Sequence, residues 1–358
     1  MDIPHDFKIR TKQWLSDEYV SLEKALQEEA PVSIRLNPAK QTAPVSRYEK
    51  VKWCGTGYYL PERPSFTFDP LFHAGCYYVQ EASSMFLEQV VKQYITSPVV
   101  CLDLCAAPGG KSTHLSSLLP ERSLLVSNEV IHSRANVLKE NLIKWGSPYT
   151  VVTCNDPKEI GQLTHLFDVI VADLPCSGEG MFRKDPNSRN EWSMANVQLC
   201  AARQRRIIHD IWNCLKPGGL LVYSTCTFNR EENEENIRYL VKQFDAEVLS
   251  LTVEDGWNIS PAIEESFPMY RFYQHKTKGE GFCLSLLKKP DAERQTIKAP
   301  KLKSNNLTVL QSYSLTVYRS FSLRHTTKYN SSPACFISGY LPITIPVSSR
   351  RFCRRFNR

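Results

Sequence analysis

The chain has 358 residues, 42% of them hydrophobic and 23% charged, an ordinary globular composition with length for two or three domains. It contains no run of about 18 apolar residues, and its charged start, MDIPHDFKIRTKQW, lacks the apolar stretch of a signal peptide; a membrane span is not expected, and the expected location is the cytoplasm. The net charge of +7 does not by itself point to nucleic acid: residues 301–358 hold ten Lys or Arg and no acid, and subtracting those ten from 44 leaves 34 basic against 37 acidic residues in the first 300.

Residues 1–95 read as a small α+β module. VSIRLNP and VKWCGTGYYL look like short strands, Pro61 and Pro64 mark a turn, and SSMFLEQVVKQYI has apolar residues at helical spacing. Residues 96–290 repeat strand then helix. The runs VVCLDL, SLLVSNE, TVVTCN, DVIVADLP and GGLLVYSTC are apolar without alternation, as strands covered on both faces are. This predicts an α/β domain with a doubly wound, mostly parallel seven-stranded sheet. AEVLSLTV and GFCLSLLKK are expected to complete it as a hairpin at one edge. From 291 to 358 the acids all but vanish and Ser and Thr become dense, so this stretch is expected to be an atypical basic tail, disordered or the product of a frameshift.

Twelve cysteines are scattered along the chain with no C-x-x-C pair and no zinc-ligand spacing, which predicts reduced thiols and no metal. Cys101, Cys154 and Cys283 lie in apolar runs, where a thiol behaves as a small hydrophobe.

Three motifs carry chemistry. In VVCLDLCAAPGGKSTHLSSLL, a buried strand ends at Asp103, and Ala106, Ala107, Pro108, Gly109 and Gly110 form a small-residue loop before a helix near Lys111. Such a loop lets a ligand approach the backbone at the carboxyl end of the sheet. It has neither G-x-G-x-x-G spacing nor a phosphate cradle, which argues against dinucleotides and nucleoside triphosphates. Glu129, Asp156 and Asp173 then fall at the ends of the next three strands. One such acid is commonplace as a helix cap; three around a Gly-rich loop suit a nucleoside cofactor without phosphates, and S-adenosylmethionine fits that description.

In ADLPCSGEGMFRKDP, Pro175 stiffens a strand-end loop that carries Cys176 over the cleft. In LKPGGLLVYSTCTFNREENEENI, Cys226 ends the fifth strand before a helix signalled by Asn229, whose N-terminus would favour a thiolate. Two cysteines at strand ends converge on one cleft. Carbon 5 of cytosine is a feeble nucleophile until a thiolate adds to carbon 6, after which it can take a sulfonium methyl. A protonated Asp173 carboxyl would hydrogen-bond ring nitrogen 3 and assist the addition. The residues alone leave open which thiol attacks.

DLCAAPGGKS, NEV, ND, DLPCSGEG and YSTCTFNREENE, in this order, resemble the Sun family of RNA cytosine-5 methyltransferases. FTFDPLFHAGCYYVQEASSM and PVSIRLNP are similar to the entry segment and N-terminal module of its bacterial branch, typified by ribosomal RNA small-subunit methyltransferase F. The resemblance covers about residues 1–290. It implies a class I S-adenosylmethionine-dependent fold and an N-terminal RNA-recognition module. It implies cofactor contacts from Cys105 through Lys111, with Glu129 on the ribose and Asp156 and Asp173 at the remaining acidic positions. It also implies that Cys226 attacks and that Cys176 assists product release. The expected partner is RNA, ribosomal or else transfer RNA, met by a monomer. The branch continues into a C-terminal RNA-binding domain, which residues after about 300 do not resemble. A non-catalytic RNA-binding protein would have lost a cysteine or a cofactor acid, and a thiol redox protein would carry C-x-x-C; neither pattern is present.

Overall fold

Spacing decides the N-terminal helices. In α1 (His5–Leu15), Phe7, Thr11 and Leu15 recur every four residues and form one buried stripe. With Tyr19 and Leu22 of α2 (Glu18–Ala25), this stripe packs against Phe182, Trp192, Phe228 and Tyr273, of which Phe182 and Phe228 belong to the two cysteine motifs. The computed structural model describes residues 2–40, 45 and 47–291. The basic tail therefore lies outside the described residues, apart from Asp291.

Next come β1 (Val32–Leu36), β2 (Gly57–Leu60), a short α3 (Pro70–His73) and β3 (Tyr77–Val79). The strands form a three-stranded antiparallel sheet, ordered β2-β1-β3, with Ile34 facing Tyr58 on one side and Val79 on the other. Only the second half of VKWCGTGYYL pairs as a strand. Val51–Gly57 is a turn closed by Cys54 N–H to Val51 C=O and Gly57 N–H to Cys54 C=O, and it buries Trp53 and Cys54 by folding inward.

After α4 (Leu87–Tyr94) the expected sheet follows: β4 (Val100–Asp103), α5 (Gly110–Leu118), β5 (Leu124–Asn128), α6 (His132–Trp145), β6 (Thr150–Thr153), α7 (Pro157–Ile160) and β7 (Phe167–Asp173). The chain continues through α8 (Asn187–Glu191), α9 (Met194–Ile211), β8 (Leu215–Thr225), α10 (Glu234–Phe244), β9 (Glu247–Leu249), β10 (Tyr270–Phe272) and β11 (Phe282–Lys288). The order is β10-β11-β8-β7-β4-β5-β6, with β9 also paired to β11. Strands β6, β5, β4, β7 and β8 are mutually parallel. The chain leaves β4 first toward β5 and later returns to β7 on its other side, so the carboxyl end of β4 is a topological switch point, where ligands bind in such sheets.

Successive side chains of the central strands serve opposite layers. Cys101, Val169, Val171 and Val222 join Val90, Val91 and Leu115 on one face. Leu102, Ile170, Ala172 and Leu221 join Ile207, Ile208, Ile211, Ile237 and Leu240 on the other. Each fully buried Val, Leu or Ile contributes about 1.5–3 kcal/mol, which is why these runs do not alternate in sequence.

The late strands differ from a simple hairpin. β9 and β11 are antiparallel partners (Leu249 with Leu286), but β11 inserts beside β8, with Ser285 opposite Tyr223. β10 takes the other half of the same edge through Tyr270 and Leu284. The described cysteines are all free thiols; Cys101 and Cys283 are buried as expected, whereas Cys154 is exposed just past β6. Among the described residues, no helix is long and apolar enough to cross a membrane.

Candidate active site

The first loop is shaped by its backbone. Gly109 has φ +112°, a left-handed conformation that favours glycine, and a Cβ there would meet Leu138 Cδ1 at 3.3 Å. The loop is anchored from outside: Ala106 N–H donates to Asn128 C=O (2.8 Å), Arg134 to Ala107 C=O (3.0 Å) and Asn141 to Pro108 C=O (2.8 Å). Burial pushes the half-buried Cys105 thiol at the start of the loop up. Around the loop stand buried oxygens that make no hydrogen bond. Asp103 is fully buried; its Oδ2 accepts from Ser112 Oγ at 2.6 Å, while Oδ1 has no partner. Burial pushes its carboxyl up to about 7. Glu129 Oε1 accepts from Ile131 N–H at 3.0 Å; Oε2 makes no hydrogen bond, although Arg134 approaches to 3.4 Å. A buried polar atom left unpaired costs about 1–3 kcal/mol, so this side of the cleft is complementary to a ligand rich in hydroxyls and amines, as S-adenosylmethionine is.

Asp156 is exposed and caps α7: its Oδ1 accepts from Lys158 N–H at 2.9 Å, and Glu159 answers with a bond from Asp156 N–H at 3.0 Å. Lys111, expected among the cofactor residues, extends to the other side of the cleft.

There the two thiols meet. Strands β7 and β8 are paired with Asp173 opposite Ser224, so the loops beyond them emerge side by side. Cys176 Sγ lies 2.9 Å from Cys226 Sγ and accepts from Cys226 N–H at 3.3 Å. Its hydrogen bond with Cys226, together with burial, holds the Cys176 thiol well above its ordinary range. Asp173 accepts from Ser224 Oγ and from Lys111 Nζ, both at 2.8 Å. Burial opposes the charge on Lys111, but Asp173 outweighs it and raises the lysine above its ordinary value. Lys111 is thus held as an ammonium beside Asp173. The ammonium also stands 5.2 Å from the centroid of the Phe282 ring.

A polar clamp that sequence reasoning read only as a helix signal holds both loops. Helix α10 starts at Glu234, beyond a Thr227–Asn233 turn, so its N-terminus is not at Cys226 and the expected helix stabilisation of a thiolate there is not found. The turn does other work. Glu232, fully buried, accepts from Ser177 N–H (3.1 Å), Asn229 Nδ2 (2.7 Å) and Gln204 Nε2 (2.7 Å), fixing the residue after Cys176. Burial pushes its carboxyl up to about 7. Asn233 accepts from Thr225 Oγ1 at 2.7 Å, fixing the residue before Cys226. The string NREEN, separated from the strand-end cysteine by Thr227 and Phe228, carries Asn229, Glu232 and Asn233, but its polar run alone does not tell a clamp from a helix start.

A doubly wound, mainly parallel sheet with a small-residue loop and strand-end acids at its switch point, and a thiol pair beside them, is the architecture of a methyltransferase of class I fold. The profile described as 16S rRNA methyltransferase RsmB/F matches residues 96–288, and that of the N-terminal domain of 16S rRNA methyltransferase RsmF matches residues 3–82. The chain belongs to the RsmB/F family of S-adenosylmethionine-dependent methyltransferases. It is 36% identical to ribosomal RNA small subunit methyltransferase F of Cronobacter sakazakii over 288 residues, covering 76% of this chain and 59% of that one. Among solved structures it is similar to a methyltransferase homolog protein from Pyrococcus horikoshii (28% identity, TM-score 0.68, covering 79% of this chain and 94% of that chain). NSun6 from the same organism, solved with SFG, shares the fold at 20% identity (TM-score 0.70, 81% and 99% covered). The chain spans between 42% and 60% of the length of the curated relatives it matches.

Proposed function

We propose that the chain transfers a methyl group from S-adenosylmethionine to carbon 5 of a cytosine in RNA, with 16S ribosomal RNA as substrate, through a covalent adduct on Cys226. The observation that carries this reading is the thiol pair at the ends of β7 and β8 with the Lys111–Asp173 ion pair beside it. The family and the relatives' names supply the RNA class.

The residues divide the work by protonation and reach. S-adenosylmethionine, bound by the Cys105–Gly110 loop with Glu129 and Asp103, supplies an electrophilic methyl group; Asp156 stands at the rim. Cys226 adds to carbon 6 of the ring. Lys111 donates a proton toward ring nitrogen 3 as electrons move onto the ring, and Asp173 orients Lys111 and accepts from the exocyclic amine. Cys176 holds its proton until the elimination: it passes that proton to the departing Cys226 sulfur, and the Cys176 sulfur so freed takes up the proton that leaves carbon 5. Residues 1–95 act in RNA recognition and residues 96–290 in catalysis. The test is methyl transfer from labelled S-adenosylmethionine to 16S RNA from a deletion strain, followed by nucleoside analysis. The label is expected in 5-methylcytidine; label in another nucleoside, or in none, contradicts the proposal.

A further inference from the structure

We propose that Cys54, Glu88 and His114 form a binding site for a divalent transition-metal ion, zinc by ligand type, between the N-terminal sheet and the helix that begins at the cofactor loop. The three residues come from the turn before β2, the first turn of α4 and the middle of α5, and they are 3%, 2% and 1% exposed. His114 Nε2 lies 3.1 Å from Glu88 Oε2 and 3.8 Å from Cys54 Sγ, and the three ligand atoms all lie within 4.8 Å of one another. Zinc bonds of about 2.0–2.3 Å in tetrahedral array separate ligand atoms by roughly 3.3–3.8 Å. The triangle is thus already near the size a metal requires.

The ligand types narrow the ion. A thiolate, an imidazole and a carboxylate suit zinc or cobalt(II) and do not suit magnesium or calcium, which take oxygen donors. Outer contacts fix the carboxylate: Glu88 Oε1 accepts from Gly55 N–H at 2.9 Å and pairs with Lys92 Nζ at 2.5 Å, leaving Oε2 for the cluster. His114 Nδ1 is buried without a hydrogen-bond partner. A cavity of about 640 Å³ is bordered by Cys54, Gly55 and Lys92 and gives a path to the Cys54 side of the cluster. On binding, the Cys54 S–H bond breaks, an Sγ–metal bond forms and the proton leaves to solvent. The thiolate and carboxylate then balance the ion's two positive charges. Arg35 and Lys92 also face this cluster, and their positive charge weakens the hold on a metal ion. The spacing search missed the site because its ligands are far apart in sequence, on three separate elements.

The proposal is independent of the methyl-transfer reading. The reduced, chelator-stripped chain is titrated with cobalt(II) alone, with absorption as readout. One equivalent is expected to produce thiolate-to-cobalt charge-transfer and tetrahedral ligand-field bands, which zinc then abolishes. The bands should persist in the Cys176→Ala/Cys226→Ala variant, disappear in Cys54→Ala, and require at least roughly tenfold more cobalt in His114→Gln. Zinc should also raise the melting temperature of the parent chain and not that of His114→Gln, which keeps the test open if Cys54→Ala does not fold. Bands unchanged in Cys54→Ala or His114→Gln, or no saturable binding by the parent, overturn the proposal.

Discussion

On the thiol side of the cleft, Glu232, Ser177, Asn229 and Gln204 bond one another around Cys176, and Asn233 bonds back to the strand that ends at Cys226. On the cofactor side, Asp103, Ser127 and Glu129 each keep a buried oxygen without a hydrogen bond. The proposed roles of the two sides account for the contrast. Groups that form and break bonds gain from being held before the substrate arrives, since reorganisation during the reaction raises the barrier. Groups that bind a ligand must keep donors and acceptors open, and they cost stability until the ligand fills them. In one sheet, the carboxyl ends of β7 and β8 are preorganised and those of β4 and β5 are left open.

The largest expected effect is at the thiol proposed to attack. Cys226→Ala should leave no measurable methyl transfer while binding S-adenosylmethionine with unchanged affinity in calorimetry, because nothing on the cofactor side depends on it. A variant that loses the cofactor as well would blur the division between the two sides. Next is the clamp. Glu232→Ala leaves the Ser177, Asn229 and Gln204 donors without their acceptor. It should lower kcat by roughly tenfold to a hundredfold through a misplaced Cys176 loop and destabilise the fold by about 1–3 kcal/mol, with cofactor affinity retained. Equal losses in kcat and in cofactor binding would argue against a local clamp.

The same carboxylate gives the comparison a pH dependence. Glu232 is raised by burial from 4.5 to about 7 and Asp103 from 3.8 to about 7. A carboxyl raised in the folded state stabilises fully below its unfolded value and loses that contribution as pH rises through the folded one. Unfolding free energy of the cofactor-free chain should therefore fall between about pH 4.5 and 7, by on the order of 2–3 kcal/mol for each group. Denaturant titrations across this range should show a shallower slope in Glu232→Ala, with the Asp103 share remaining; an unchanged slope would mean that Glu232 is not the titrating group.

On the open side, Glu129→Ala should weaken S-adenosylmethionine by about 1–3 kcal/mol and leave stability nearly unaffected; an unaltered affinity would move the ribose contact elsewhere. The smallest effect belongs to Asp156. Its capping box predicts that Asp156→Ala costs about 1 kcal/mol of stability, with only a minor change in cofactor affinity. A large affinity loss there would show that the rim belongs to the open side after all.

How much of this was legible in sequence divides along similar lines. The sheet was, because strands covered on both faces write themselves as unbroken apolar runs, as in DVIVADLP. The small-residue loop and the strand-end acids were also visible, since each is a local signal. The clamp was not: Glu232 gains its meaning from Ser177 and Gln204, which are remote in the chain, and locally NREEN looks like the start of a helix. The partner of Lys111 was hidden for a related reason. Its position in AAPGGKS groups it with the cofactor loop, but a long side chain at the start of α5 reaches across to Asp173. β10 went unseen because three residues on an edge carry too short a pattern, and VKWCGTGYYL looked like one strand because burial in a turn mimics burial in a sheet.

The central claim is that Cys226 attacks while Cys176 keeps its proton for release. Its most direct test is a denaturing gel of each single cysteine variant incubated with S-adenosylmethionine and 16S RNA. Cys176→Ala is predicted to accumulate a covalent RNA–protein adduct, with peptide mass spectrometry placing the crosslink on Cys226, and Cys226→Ala is predicted to form none. An adduct in Cys226→Ala that is absent from Cys176→Ala would reverse the two roles and contradict the account.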